Sequence, residues 1–247
     1  ITKSPNLEQT EGYIEASLGD YAMQRYVGAV TGPISDSLAY SIAGNWYETD
    51  GWMESDTGDD LNAAQDWNLR GKLLWLPIDT LSVQLTAAHV DRDDSCCAAD
   101  ATQTAAVTDQ LIAQGLPVPK NDAFDYKNNV NVDSNFEMES DAVNVKLDYE
   151  LDTAVLTSLT AWNDYDYKTS TDADRSQLDV LGVIDDKYSG EQYSQEFRLT
   201  SDLDGAWQYM AGAFYAYEER TRGGKDEAPV VIGDDTIAVG GAATGLG

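Results

Sequence analysis

The side chains best suited to holding a solute are aromatic and lie in polar, acidic stretches: Trp52, Tyr126, Tyr165, Tyr167 and Tyr188. Their faces can stack on an organic molecule, and their O–H and N–H groups donate hydrogen bonds. A second set, Arg70, Lys72 and Arg198, falls on the polar side of alternating segments. Guanidinium and ammonium groups that face a passage poor in water act as anion clamps. No catalytic constellation emerges, and no enzymatic activity or cofactor is expected. The only histidine, His89, excludes a two-histidine metal site and an H-E-x-x-H motif. It reads as a surface or lumen histidine rather than a ligand contact, and no metal centre is expected. Gly223-Gly224-Lys225-Asp226 lacks the Ser or Thr that a phosphate-binding loop needs for magnesium.

Carboxylates offer the remaining chemistry. Asp172-Ala173-Asp174-Arg175-Ser176 has the spacing of a calcium loop, but Gln177 replaces the turn glycine and no Glu follows at the twelfth position. Glu54, Asp56, Asp59 and Asp60 could form a looser oxygen site, although a solvated, self-repelling loop face explains them as well. Adjacent Cys96 and Cys97 rule out a disulfide framework, leaving a strained vicinal disulfide or two thiols. Across 247 residues, 15 Lys+Arg face 44 Asp+Glu, a net charge of −29, which excludes nucleic acid as a partner. At 42% hydrophobic and 10% aromatic the composition is not that of a disordered chain.

The elements that position these residues are β-strands. Alternating apolar and polar residues predict nine: 13–18, 25–31, 38–47, 67–75, 81–90, 142–150, 155–162, 192–200 and 207–217. Helical periodicity is confined to 101–114. In the sixth strand Val143, Val145, Leu147 and Tyr149 oppose Asn144, Lys146, Asp148 and Glu150. Connections alternate in length. Short ones at 32–37, 77–80, 151–153 and 201–205 carry Pro, Gly, Ser and Asp. Long acidic ones run over 48–66, 91–141, 163–191 and from 218 onward, with 19–22 as the one short outer link. Short turns at one end and long loops at the other are the pattern of an up-and-down outer-membrane barrel. No apolar run approaches the roughly 18 residues of a membrane-spanning helix, but a spanning strand needs only about 10. Trp46, Tyr47, Trp67, Trp75, Trp162, Tyr215 and Tyr217 near strand ends suit interfacial girdles.

Several segments share a resemblance. Ile1-Thr2-Lys3-Ser4-Pro5 resembles the tail with which the plug domain of TonB-dependent outer-membrane receptors leads into the barrel. Gly12 to Tyr21 is similar to the first barrel strand, and Gly28-Ala29-Val30-Thr31-Gly32-Pro33-Ile34-Ser35-Asp36-Ser37-Leu38-Ala39 to the second strand and its turn. Leu69 to Trp75, Gln192-Tyr193-Ser194-Gln195-Glu196-Phe197-Arg198-Leu199-Thr200-Ser201 and Gly212-Ala213-Phe214-Tyr215 resemble later strands.

The resemblance implies an all-β antiparallel up-and-down transmembrane barrel of roughly 22 strands with a plugged lumen. In that frame residues 1–11 are the end of the plug and linker, and residues 12–247 the N-terminal part of the barrel, so the chain is expected to be a fragment. The implied function is energy-coupled import of a scarce ligand across the outer membrane of a Gram-negative bacterium. TonB is the implied partner, through an upstream segment, and outer-membrane lipid is the surroundings. Ferric siderophores are the commonest implied cargo among other small organic ligands. Arg70, Lys72 and Arg198 would then contact the plug or an anionic ligand. The competing reading is a soluble or surface-attached acidic all-β adhesion protein that binds calcium in its Asp-rich loops.

Overall fold

Alternating side chains joined by two-residue polar turns leave a chain one economical option, a meander in which each strand pairs with its neighbours in sequence. The computed structural model shows that arrangement. It describes residues 3–55, 60–95, 103–120, 122, 124–132, 134–172, 175–178, 183–203, 207–223, 230–231 and 236–238. Nine long strands form one antiparallel sheet in sequence order: β1 (Glu11–Leu18), β2 (Gln24–Ser35), β3 (Leu38–Thr49), β4 (Ala64–Ile78), β5 (Leu81–Asp94), β6 (Asn135–Leu151), β7 (Ala154–Asp172), β8 (Val183–Ser201) and β9 (Met210–Arg222). Val230–Val231 and Thr236–Ala238 add short pairings to β9.

The turns follow from their residues. Ser35 pairs with Leu38, Ile78 with Leu81 and Leu151 with Ala154, so Asp36-Ser37, Asp79-Thr80 and Asp152-Thr153 are two-residue links. At the opposite end the short 19–23 link places Tyr21 and Ala22 at positive φ, 59° and 51°. That end otherwise carries a cap built from the long connections. Met53–Ser55 pairs with Asp60–Leu61 and with Lys127–Asn128, over a small core of Met53, Leu61 and Val130. Helix α1 (Ala105–Gln114) belongs to the same region. The Thr104 hydroxyl caps its start by accepting from the Val107 N–H, and Gly115 ends it at φ 69°.

All nine expected strands are present, and the ends joined by two-residue turns fall close to the expected positions. Their upper ends run much further. β6 begins at Asn135, β7 continues to Asp172 and β8 begins at Val183. There the alternation changes phase, with Tyr165 and Tyr167 facing inward between outward Asp164, Asp166 and Lys168, while the backbone ladder needs no outward apolar face to continue. The ninth strand begins at Met210 rather than 207. Cys96, Cys97, Asp56 and Asp59 lie outside the described residues.

The sheet is inside out relative to a soluble fold. On one face Leu69 and Trp75 are each 49% exposed, Leu73 41% and Leu85 37%. On the other, Lys72 and Thr86 are each 8% exposed and Thr157 6%. Among the described residues no second layer covers the apolar face, and the buried hydrophobic side chains are few and mostly in the cap. An apolar belt of this extent exceeds what a soluble monomer leaves exposed. The soluble adhesion alternative needed that belt packed inward, and the structure does not favour it. Register places Trp46, Trp67, Trp162, Tyr215 and Tyr217 on the outward face. Tyr47 pairs with Arg25 and Asp66 on the inward side, so it is not a girdle residue.

Candidate functional site

The inward face holds two groups of functional side chains, one low and one high. In the low group, Ser41 lies opposite Lys72 and Ala43 opposite Arg70, so both cations enter the concavity. With Lys3, Arg25 and Asn68 they line a cavity of about 640 Å³. Residues 3–10 cross this face before β1. The Lys72 ammonium donates to the Lys3 carbonyl at 2.9 Å, and the Asn6 N–H donates to the Thr31 hydroxyl at 2.9 Å. Arg198, on the inward side of β8, reaches Glu196 at 3.6 Å. Lys146 pairs with Asp148 at 2.6 Å, and Asp148 accepts from the Thr157 hydroxyl at 2.7 Å.

The high group sits where the strands rise past the outward aromatic belt. Tyr167 lies opposite Tyr188 on β8 and opposite Met138 on β6, which puts all three on the inward face. The rings of Tyr167 and Tyr188 stack with centroids 4.8 Å apart, and Phe136 stacks on the other side of Tyr167 at 5.9 Å. Tyr165 lies one inward position below, 6.3 Å from Tyr167 and nearly parallel to it. Two arginines close the row: Arg92 stands over Phe136 at 5.5 Å and Arg222 over Tyr188 at 5.6 Å. The band Arg92, Phe136, Tyr167, Tyr188, Arg222 thus crosses five consecutive strands, β5 to β9.

Local structure explains the alignment. Gly190 faces Tyr165 across β7 and β8, and a Cβ there would meet the Tyr165 ring 2.4 Å away. Only glycine lets that ring lie flat on the neighbouring backbone. Each arginine is oriented by a carboxylate: Arg92 by Asp94 and Arg222 by Asp186, while Arg220 donates to Glu218 at 2.6 Å. Burial, reinforced by Tyr188 and Tyr165, pushes the Tyr167 phenol above its usual range, so that hydroxyl stays protonated and able to donate at neutral pH. The surface is therefore flat, aromatic and flanked by guanidinium groups. It can stack on planar groups, and the guanidinium N–H groups not taken by Asp94 and Asp186 can donate to an acceptor.

The structure brings together Tyr165, Tyr167 and Tyr188 of the expected ligand-binding residues. Trp52 and Tyr126 form a separate edge-on pair in the cap, 6.0 Å apart. Arg70, Lys72 and Arg198 lie elsewhere on the inward face. Phe136, Arg92, Arg220 and Arg222 were missed, because their facing is set by strand ends that read as loop. Glu54 of the suggested acidic calcium loop is paired with Lys127 at 3.3 Å.

No family profile and no curated protein matches this sequence. Solved structures do. The ferric yersiniabactin uptake receptor FyuA from Yersinia pestis superposes with a TM-score of 0.71 at 19% identity, over 90% of this chain and 32% of that one. The ferric-catecholate import receptor Fiu from E. coli K12, in its open form, gives 0.68 at 13% identity, over 98% of this chain and 40% of that one. The siderophore receptor PiuA from Acinetobacter baumannii gives 0.67 at 14% identity, over 90% and 32%. The chain spans between 32% and 40% of the length of these receptors. The fold is the one expected from the sequence, a portion of the barrel of TonB-dependent receptors.

Proposed function

We propose that this chain, whose fold is a portion of a TonB-dependent receptor barrel, is the N-terminal part of such a barrel in the outer membrane of a Gram-negative bacterium. Its upper inward wall contributes to capture of a small organic ligand for energy-coupled import. Residues 1–11 would be the end of the plug domain and linker, and TonB would act through a segment upstream. The observation that carries the reading is the inverted sheet, greasy outward and polar inward, with an aromatic and arginine band at the top of its polar side. Residues 3–10 add support, since they lie within the concavity, as a linker leading from a plug would.

The chemistry of the band favours a ligand with planar, electron-rich groups and net negative charge, which a ferric siderophore provides. Tyr167 and Tyr188 supply stacking faces, and Arg92 and Arg222 supply charge. Arg70 and Lys72 are assigned to the linker and its surroundings, since Lys72 already holds the Lys3 carbonyl. The test is binding of ferric siderophores to the whole receptor, followed by tryptophan fluorescence. Replacing Tyr167 and Arg222 together by Ala should weaken binding at least tenfold while heat-modifiable migration persists. Unchanged binding in that variant would remove the band from the ligand path.

A further inference from the structure

His89 is the chain's only histidine, and it lies on the outward face, where neither the lumen nor the ligand wall uses it. It stands opposite Asp141, and the next pair up on the same face is Asp91 with Glu139. The His89 Nδ1 is 2.9 Å from the Asp141 Oδ1. One donor atom from each of His89, Glu139 and Asp141 lies within 4.8 Å of the others. Despite 44 acidic residues in the chain, this is the one such convergence among the described residues. We propose that His89, Glu139 and Asp141 form a binding site for a divalent transition-metal ion on the outer wall, at the level of the aromatic belt.

The geometry fits an ion without refolding. A tetrahedral Zn²⁺ with bonds of about 2.1 Å holds its ligands about 3.4 Å apart. The His89–Asp141 separation of 2.9 Å is close to that distance, and closing the site takes a side-chain rotation that brings the Glu139 oxygen in from within 4.8 Å. Both ladder strands are rigid, and the Trp67 ring packs on the imidazole with centroids 4.7 Å apart, fixing its plane. The donor set decides the class of ion. One imidazole nitrogen with two carboxylates suits Zn²⁺, Ni²⁺ or Cu²⁺, whereas Ca²⁺ and Mg²⁺ prefer oxygen alone. Asp91, Asp164 and Asp166 share this face and add negative potential. The His89 and Asp141 side chains are 26% and 51% exposed. The remaining coordination position thus opens outward, to water or to a lipid phosphate. The site rests on strand register alone and does not depend on what the lumen transports.

The test uses full-length protein without a histidine tag, folded in detergent micelles. Zn²⁺ titration by calorimetry should give one site that His89→Ala weakens at least tenfold, with Glu139→Gln also weakening it, by severalfold. Bound Cu²⁺ should show coupling to a single ¹⁴N in its electron paramagnetic resonance spectrum, lost in His89→Ala. Strand circular dichroism and heat-modifiable migration report that each variant folds. A Zn²⁺ affinity that falls less than tenfold in His89→Ala, a Cu²⁺ spectrum without nitrogen coupling, or Ca²⁺ binding as tightly as Zn²⁺ would each overturn the assignment. Vesicles with and without phosphorylated lipid distinguish the outward ligand. A tighter Zn²⁺ site in the phosphorylated vesicles identifies a lipid phosphate, and equal affinity identifies water.

Discussion

In its lower band the wall turns Leu69, Leu73 and Leu85 outward and Lys72 and Thr86 inward. Some eight residues further along the same strands, Asp93 and Glu137 face outward while Arg92 and Phe136 face inward. Backbone pairing is continuous through both bands. What changes is the medium against which the outward side chains are selected. In the lower band the outward side chains are mostly apolar, with Ser158, Thr160 and Gln195 hydrogen-bonded to one another among them, and in the upper band charge occurs on both faces. Secondary structure here is therefore set by the ladder, and the facing pattern reports what lies beside it.

The largest expected effect tests that contrast directly. Leu85→Lys places a charge in the middle of the apolar belt and should cost about 2–4 kcal/mol in the stability of the vesicle-inserted protein, measured by urea unfolding. Asp93→Lys, eight residues up the same strand and on the same face, should change stability by less than about 0.5 kcal/mol. Equal costs would mean that the two bands share one environment. Next, Tyr167→Ala removes the centre of the aromatic row and should weaken binding of a ferric siderophore about tenfold, or ~1.4 kcal/mol, with the unfolding midpoint of the lower band unmoved.

Gly190→Ala is subtler. The added methyl must displace the Tyr165 ring, so binding should fall about threefold, ~0.7 kcal/mol, with no loss of strand signal. The smallest effect concerns Lys168, whose pKa is raised by its hydrogen bond and charge attraction to Glu137 at 2.9 Å. A raised folded pKa gives stability that is complete below the unfolded value of about 10.4 and is lost as pH rises through the folded one. For an exposed pair this is a few tenths of a kcal/mol. Glu137→Gln should abolish that alkaline loss, read from unfolding midpoints between neutral pH and pH 11.

The same contrast explains what could be read from sequence. All nine strands were legible wherever one side was apolar, as in Val143, Val145, Leu147 and Tyr149. Asn163 to Asp172 and Val183 to Glu191 read as loop because the phase reverses: below, the apolar side chains face outward, whereas here Tyr165, Tyr167 and Tyr188 face inward with Asp164, Asp166, Lys168 and Lys187 outward. Tyr165, Tyr167 and Tyr188 stood out by residue type, but their stacking needed a register that only the extended strands supply. Phe136, Arg92 and Arg222 carried no signal for the same reason. The partners of His89 were hidden differently, since Glu139 and Asp141 are about fifty residues away across the longest connection. Tyr47 shows the converse error, an aromatic assigned outward by type whose register turns it inward.

The two-residue turns also bear on the order of assembly. Ring closure becomes more costly by about 0.6 kcal/mol for each doubling of loop length. The link between Asp94 and Asn135, some forty residues, is thus disfavoured by on the order of 2–3 kcal/mol relative to a turn such as Asp79-Thr80. The hairpins β2–β3, β4–β5 and β6–β7 should zip first and independently. They would then be sewn edge to edge in slower steps, each waiting on the spanning segment outside to find its place.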